Sequence, residues 1–369
     1  MMGNDNSFLY VFLGPVKEFL DDDEVSEILI NGPDSIYVER RGELEATSAK
    51  FPTAQSLLAA ATNIAKSVGR LLDEANPRLD ARLPSGARVH AVIPPLARGG
   101  TVIAIRKFKK DPLTIDLMRV NGSLSDEAMK LIRAVVTLRK NVIVSGGTSS
   151  GKTSVLNALS SFIGKKERVL VIEDASELRL QQRHVVYFET RKPDKNGKGE
   201  VTIRDLIHSS LRLRPDRLVI GEIRGGEALD LLQALNTGHA GSMSTIHANS
   251  PVDCLHRLET CALLSGMDIP LTALRSQVSS AIDVVVHTAR LADGSRKVMA
   301  ISEVLPLQDG EYRTSDLLVW QTEQVVRDPG EPGKVTIVGR HVLKSRPSFV
   351  MEATMNGLEL PSYEECESS

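Results

Sequence analysis

The stretch Gly146-Gly147-Thr148-Ser149-Ser150-Gly151-Lys152-Thr153 carries the residue types and spacing that hold phosphate, matching G-x-x-x-x-G-K-[ST] at every position. In such a loop, backbone N–H groups close around phosphate oxygens at a helix N-terminus, where the helix dipole favours negative charge. Gly146 and Gly151 let the main chain turn and approach without a Cβ in the way. Lys152 is placed to reach the β- and γ-phosphates, the Thr153 hydroxyl to ligate Mg²⁺, and Ser154 to follow them into the helix. The context agrees. Asn141-Val142-Ile143-Val144-Ser145 reads as a buried parallel strand before the loop, and Ser154-Val155-Leu156-Asn157-Ala158-Leu159 as the helix after it. The chain is expected to bind a nucleoside triphosphate.

Many enzyme classes share this loop, and the carboxylates beyond it narrow the choice. Val169-Leu170-Val171-Ile172 reads as a strand ending in Glu173-Asp174-Ala175-Ser176-Glu177, and the strand ends of open α/β sheets are where ligands bind. A carboxylate there is a candidate to orient the water that attacks a γ-phosphate. Leu218-Val219-Ile220-Gly221-Glu222 has the apolar-then-acidic form of a strand whose carboxylate holds Mg²⁺, with Glu in place of the commoner Asp. Next comes Thr237-Gly238-His239-Ala240-Gly241, a strand, and then His247-Ala248-Asn249-Ser250. Histidines beside a nucleotide site are candidates to sense the γ-phosphate or polarise a contact, and no third ligand at metal-type spacing makes them a zinc site. No Asn-Lys-x-Asp motif for guanine occurs, which argues against a GTPase.

The elements that must position these residues form two domains, as 369 residues allow. Residues 1–109 read as a small α/β domain. Helical spacing from Pro15 to Ile28, broken by the acidic run Asp21-Asp22-Asp23-Glu24, leads to short strands at Ile28–Ile30 and Ser35–Arg40. A helix from Thr53, as N-cap, runs to Leu72, and a β-meander fills Leu79 to Phe108. Residues 110–124 read as a linker, with a short helical piece near Thr114–Val120. From 125 to 369 strands alternate with helices, which implies a largely parallel sheet covered on both faces. The tail from about residue 307 reads as an appendage.

A net charge of −2 and the lack of a basic stripe interleaved with aromatics give no reason to expect nucleic acid. Cys254, Cys261 and Cys366 show no metal or disulfide spacing and read as reduced thiols of a cytoplasmic protein. The short apolar run from Phe8 to Leu13 lacks a preceding Lys or Arg, and no apolar run approaches a membrane span. Membrane association is expected only through partners.

Phosphate loop, Glu173-Asp174 box, glutamate-ended strand and paired-histidine box, in that order, resemble the ATPases of type II and type IV secretion systems and of type IV pili. The resemblance is to the branch that assembles tight-adherence (Flp) pilus filaments. Three stretches carry it: Leu79 to Leu96, Leu211 to Glu227 and Asn236 to Pro251. It implies a PAS-like N-terminal α/β domain joined to a RecA-like P-loop NTPase core in a ring-forming homohexamer. ATP with Mg²⁺ would sit between subunits, and an inner-membrane platform protein would receive the motion. Position by position, it implies Glu177 as general base and Glu222 as the metal-side acid. Glu173 and Asp174 would support them, and His239 and His247 would be the box histidines. Arg88 and Arg106 would contact nucleotide phosphates, with Arg98 a weaker candidate and Arg212 and Arg214 acting from a neighbouring subunit. A type IV secretion traffic ATPase and a nucleotide-binding scaffold ring are the alternatives.

Overall fold

A computed structural model describes residues 11–40, 42–83, 85–107, 113–193, 197–327 and 335–363. Pro84, the start of the linker at Lys109-Lys110-Asp111-Pro112, part of the polar loop at Asp194-Lys195-Asn196 and the acidic end Glu364-Glu365-Cys366-Glu367 lie outside them. The chain falls into two compact units, Met1–Asp111 and Pro112–Ser369.

In the first unit, helix α1 (Lys17–Asp21) precedes strands β1 (Val25–Ile30), β2 (Ile36–Arg40) and β3 (Glu43–Ala46). Helix α2 (Ala54–Ser67) and strands β4 (Arg78–Arg82), β5 (Arg88–Val92) and β6 (Val102–Arg106) follow. The strands form an antiparallel sheet in the order β3-β2-β1-β6-β5-β4. Thr53 caps α2 as expected: its hydroxyl accepts from Ser56 N–H, and Ser56 reciprocates. The helix ends at Asp21, where the acidic run breaks the helical spacing, and beyond that run Val25–Ile28 is strand, not a resumed helix. A bulge between Val25 and Glu27 explains the misreading, because one extra residue converts alternation into an i, i+3 spacing that imitates a helix.

The second unit opens with α3 (Ile115–Val120), capped by Thr114, and α4 (Asp126–Thr137), capped by Ser125. The core then runs β7 (Val142–Gly146), α5 (Lys152–Ser160), β8 (Val169–Glu173), β9 (Val185–Glu189), α6 (Ile203–Leu211), β10 (Arg217–Ile223), α7 (Glu227–Asn236) and β11 (Met243–His247). Helices α8 (Pro251–Leu263) and α9 (Leu271–Ala281) lead to β12 (Val284–Arg290), β13 (Arg296–Gln308), β14 (Glu311–Arg327), β15 (Val335–Leu343) and α10 (Val350–Met355). Among the described residues one sheet has the order β15-β14-β13-β12-β7-β11-β10-β8-β9. It is parallel from β12 to β9 and antiparallel from β12 to β15.

Strands β7 and β8 are buried along their whole length, as a strand covered on both faces must be. Apolar clusters lie on either side, one built with α4 and α5, the other with α7, α8 and α9. Cys254 and Cys261 are buried in the second, as their spacing on one helix face suggests. Residues beyond 307 continue the sheet through β14 and β15. The chain then returns to α4, where Phe349 is in the core and Lys140 pairs with Glu352 at 2.7 Å.

Candidate functional site

Six parallel strands end on one edge of the sheet, and the phosphate loop leaves β7 at that edge. Gly146 has no alternative there: a Cβ would meet the Thr288 carbonyl oxygen at 2.3 Å and the Ser150 hydroxyl at 2.5 Å. Gly151 occupies the left-handed region at φ +96° and serves as the α5 N-cap without a side-chain bond, leaving the first-turn N–H groups to the loop. Lys152 folds back over the loop, its Nζ donating to the carbonyls of Gly146 (3.1 Å) and Gly147 (2.9 Å). Thr148, Ser149 and Ser154 are exposed, Thr153 half-buried and Ser150 buried.

The register places His247 of β11 and Thr288 of β12 on either side of Gly146. The Thr288 hydroxyl donates to the Ser145 carbonyl at 3.2 Å and lies 3.0 Å from the Ser150 hydroxyl. One residue earlier, His287 Nδ1 is hydrogen-bonded to the Ser145 hydroxyl at 2.9 Å; burial pushes its imidazole below the usual range, opposed by Asp253. From β13, Arg296 Nε donates to the Ser149 carbonyl at 2.9 Å. His287, Thr288 and Arg296 carry no motif in the sequence. Only strand order brings them to the loop.

Glu173 ends β8 at 3% exposure, and burial lifts its pKa from 4.5 to about 7. Its Oε1 accepts the N–H groups of Glu177 (2.9 Å) and Leu178 (3.0 Å). The expected supporting carboxylate is thus turned inward, binding the turn that presents half-buried Glu177. Arg179 N–H donates to Asn157 Oδ1 of α5 at 2.9 Å, so the same turn is also tied to the phosphate-loop helix.

Glu222 lies inside β10, not at its end, where a bulge interrupts pairing with β11 between Ile220 and Ile223. Arg224 bonds its carboxylate, Nε to Oε2 at 2.8 Å and also through Nη2. The same guanidinium lies 3.8 Å from Asp174. Burial works against its charge, but the carboxylates of Glu222, Asp174 and Glu177 hold its pKa above the ordinary value. Arg224 therefore joins Glu222 to Asp174, two carboxylates that stand in separate motifs of the sequence.

His239 is elsewhere. It precedes β11, on the opposite edge of the sheet from His247, with Nδ1 at 3.2 Å from the Ala234 carbonyl. Arg212 and Arg214, between α6 and β10, are on that far edge too. In the first unit, Arg88 of β5 faces Arg106 of β6 directly, and Arg82 faces Arg88. Paired residues share a face, so the three arginines form a row; Arg98 lies in the β5–β6 connection.

A glycine-bound phosphate loop at the carboxyl edge of a parallel sheet, with carboxylates on the next strands, defines a P-loop nucleotide-binding core of RecA-like form, preceded by an α/β domain. The chain belongs to the type II/IV secretion system protein family, which it matches over residues 12–362. A Mycobacterium tuberculosis protein named for conjugal transfer is 36% identical over 323 residues, 85% of this chain and 90% of that protein. The Bordetella pertussis type IV secretion system protein PtlH is 34% identical over 313 residues, 77% of this chain and 91% of that protein. The solved structure of the Legionella pneumophila ATPase DotB shares the fold, with a TM-score of 0.55 at 18% identity over 81% of each chain.

Proposed function

We propose that the protein is an ATP-hydrolysing motor of a secretion or pilus machine, working as a homohexameric ring at the cytoplasmic face of an inner membrane through a platform protein. The observation that carries the reading is the convergence of Lys152, Glu177 and Glu222 on one edge of the sheet, with Glu173 and Arg224 organising the carboxylates. A ring that only bound nucleotide would have no use for a positioned general base.

In this reading Lys152 exchanges its carbonyl partners for β- and γ-phosphate oxygens, and the N–H groups of residues 147–154 complete the cradle. Glu177 takes the proton of the attacking water, and His247 polarises the γ-phosphate side. Asp174 and Glu173 keep the general base in place, and Arg224 steadies Glu222. The donors fit Mg²⁺: the Thr153 hydroxyl and Glu222 carboxylate are hard oxygens, and Mg²⁺ uses one or two protein ligands beside phosphate and water. Bound there, it would neutralise charge on the phosphates. Arg88 and Arg106 stand side by side on one face of the first unit, with Glu27 next in the row beside Arg106, and would offer guanidinium groups to phosphate. His239, Arg212 and Arg214, on the far edge, would act toward a neighbouring subunit.

Assembly of a tight-adherence pilus is the finer reading, supported by the three branch-type stretches. A type IV secretion traffic ATPase is the second, supported by the names of the M. tuberculosis and B. pertussis relatives. Steady-state hydrolysis of ATP and GTP with Mg²⁺, beside Glu177→Gln, tests the shared core. ATP-preferring turnover that falls roughly 10²- to 10⁴-fold in the variant, with nucleotide binding retained, is the expected result. Equal rates in both chains would remove Glu177 from the role.

A further inference from the structure

The bulge in β10 has a specific consequence for Glu222. Val219 pairs with Met243 and Ile220 with Ser244, so regular pairing would set Gly221 opposite Thr245 and Glu222 opposite Ile246. Ile246 belongs to the apolar cluster covered by α7, α8 and α9, and an unbulged Glu222 would be driven into that core. Instead pairing resumes at Ile223 with Ile246. Three residues of β10 then span two of β11, Ile223 takes the buried place at 2% exposure, and the Glu222 side chain keeps 27%.

A bulge leaves main-chain groups without ladder partners, and one of them is accounted for. The Thr245 hydroxyl donates to the Gly221 carbonyl at 2.7 Å, from a residue only 1% exposed. On its other side the bulge rests against Glu173: a Cβ on Gly221 would stand 2.9 Å from Glu173 Cγ, so only glycine fits. Thr245, Gly221 and Glu173 therefore form one contact chain from the strand beside the phosphate loop to the turn that carries Glu177.

We infer that Thr245 is a positioning residue, whose hydroxyl holds the β10 bulge open at Gly221 and so aims Glu222 away from the core and toward the nucleotide edge. The inference rests on the reading of Glu222 as the metal-side acid. Thr245→Val keeps the shape and removes the donor; Thr245→Ser keeps the donor. Two readouts separate positioning from packing: the free Mg²⁺ that gives half-maximal binding of a fluorescent ATP analogue, and the thermal unfolding midpoint.

Thr245→Val is expected to raise the Mg²⁺ requirement roughly tenfold, the usual scale for losing a residue that orients a metal ligand. Thr245→Ser should stay within about twofold of the parent. In a Glu222→Gln background, Thr245→Val should add less than about twofold, because the aimed carboxylate is already gone. Thr245→Ala replaces the valine variant if that chain does not fold. A lowered midpoint with an unchanged Mg²⁺ requirement would overturn the inference and leave Thr245 a packing residue. A Mg²⁺ defect in Glu222→Gln without one in Thr245→Val would overturn the inference alone. An unchanged requirement in Glu222→Gln would instead remove the metal reading of Glu222.

Discussion

The two edges of the central sheet are built from the same strands and do different work. At the carboxyl edge the chain turns through glycines at positions with no room for a side chain, and it gathers Glu173, Asp174, Glu177, Glu222 and Arg224. At the amino edge the charges are locked together. Arg217, 1% exposed, gives Nε and Nη2 to the two oxygens of Glu167 at 2.8 and 3.0 Å and Nη1 to the Gly241 carbonyl at 3.0 Å. Arg139 adds a bond to the Asp216 carbonyl at 2.6 Å. At one edge the charged groups gather beside the phosphate loop; at the other, Arg217 and Arg139 fasten loops.

That contrast can be broken most directly at Lys152. Lys152→Ala should lower ATP turnover by about 10³-fold or more, roughly 4 kcal/mol of transition-state stabilisation, while the unfolding midpoint stays near the parent. Retained turnover would mean the carboxyl edge is not the catalytic one. Arg217→Ala is the mirror test. It removes two bonds to Glu167, which keeps the Gly164 N–H at 2.9 Å and Arg139 at 3.7 Å, and strands the Gly241 carbonyl. Unfolding free energy should drop by about 3 kcal/mol, the lower end for a broken buried pair, because Glu167 keeps those partners and 19% exposure. Turnover per folded molecule should be unchanged, measured below the lowered midpoint.

A third test uses pH. Burial raises Glu173 from 4.5 to about 7, so the folded protein holds this proton more tightly than the unfolded chain does. The resulting stabilisation is complete below pH 4.5 and is lost as the pH rises through 7, a swing on the order of 3 kcal/mol. Denaturant titrations of the parent and of Glu173→Gln at pH 5 and pH 8 should show that swing in the parent and a flatter response in the variant. Identical pH responses would assign the slope to other groups.

The smallest expected effect concerns the histidines. His247→Ala should slow turnover about tenfold and His239→Ala less, since only His247 borders the phosphate loop. A larger loss in His239→Ala would show that the amino edge also serves catalysis, through a neighbouring subunit.

The four-part motif order was legible because each part is local. A loop of eight consecutive residues, an acid after an apolar run and a hydroxyl at a helix cap, such as Thr53, need only their neighbours to be recognised. The reading failed where a local pattern had two physical origins. The bulge in β1 imitated a helix between Val25 and Ile28; β9 and β12 hold the β-branched and aromatic residues of strands, and only pairing decided their place in the sheet.

Taken alone, the sequence determined that this chain has a phosphate loop, which carboxylates accompany it, and which family it resembles, because those features are contiguous and chemically specific. Only the tertiary structure decided which residues share an edge. His239 and His247 are close in the chain, yet a five-residue strand spanning roughly 13 Å separates them. His287, Thr288 and Arg296 are remote in the chain, yet they meet the loop, because β12 is inserted beside β7 and β13 follows it. Strand order and register are long-range pairings, and no local spacing encodes them.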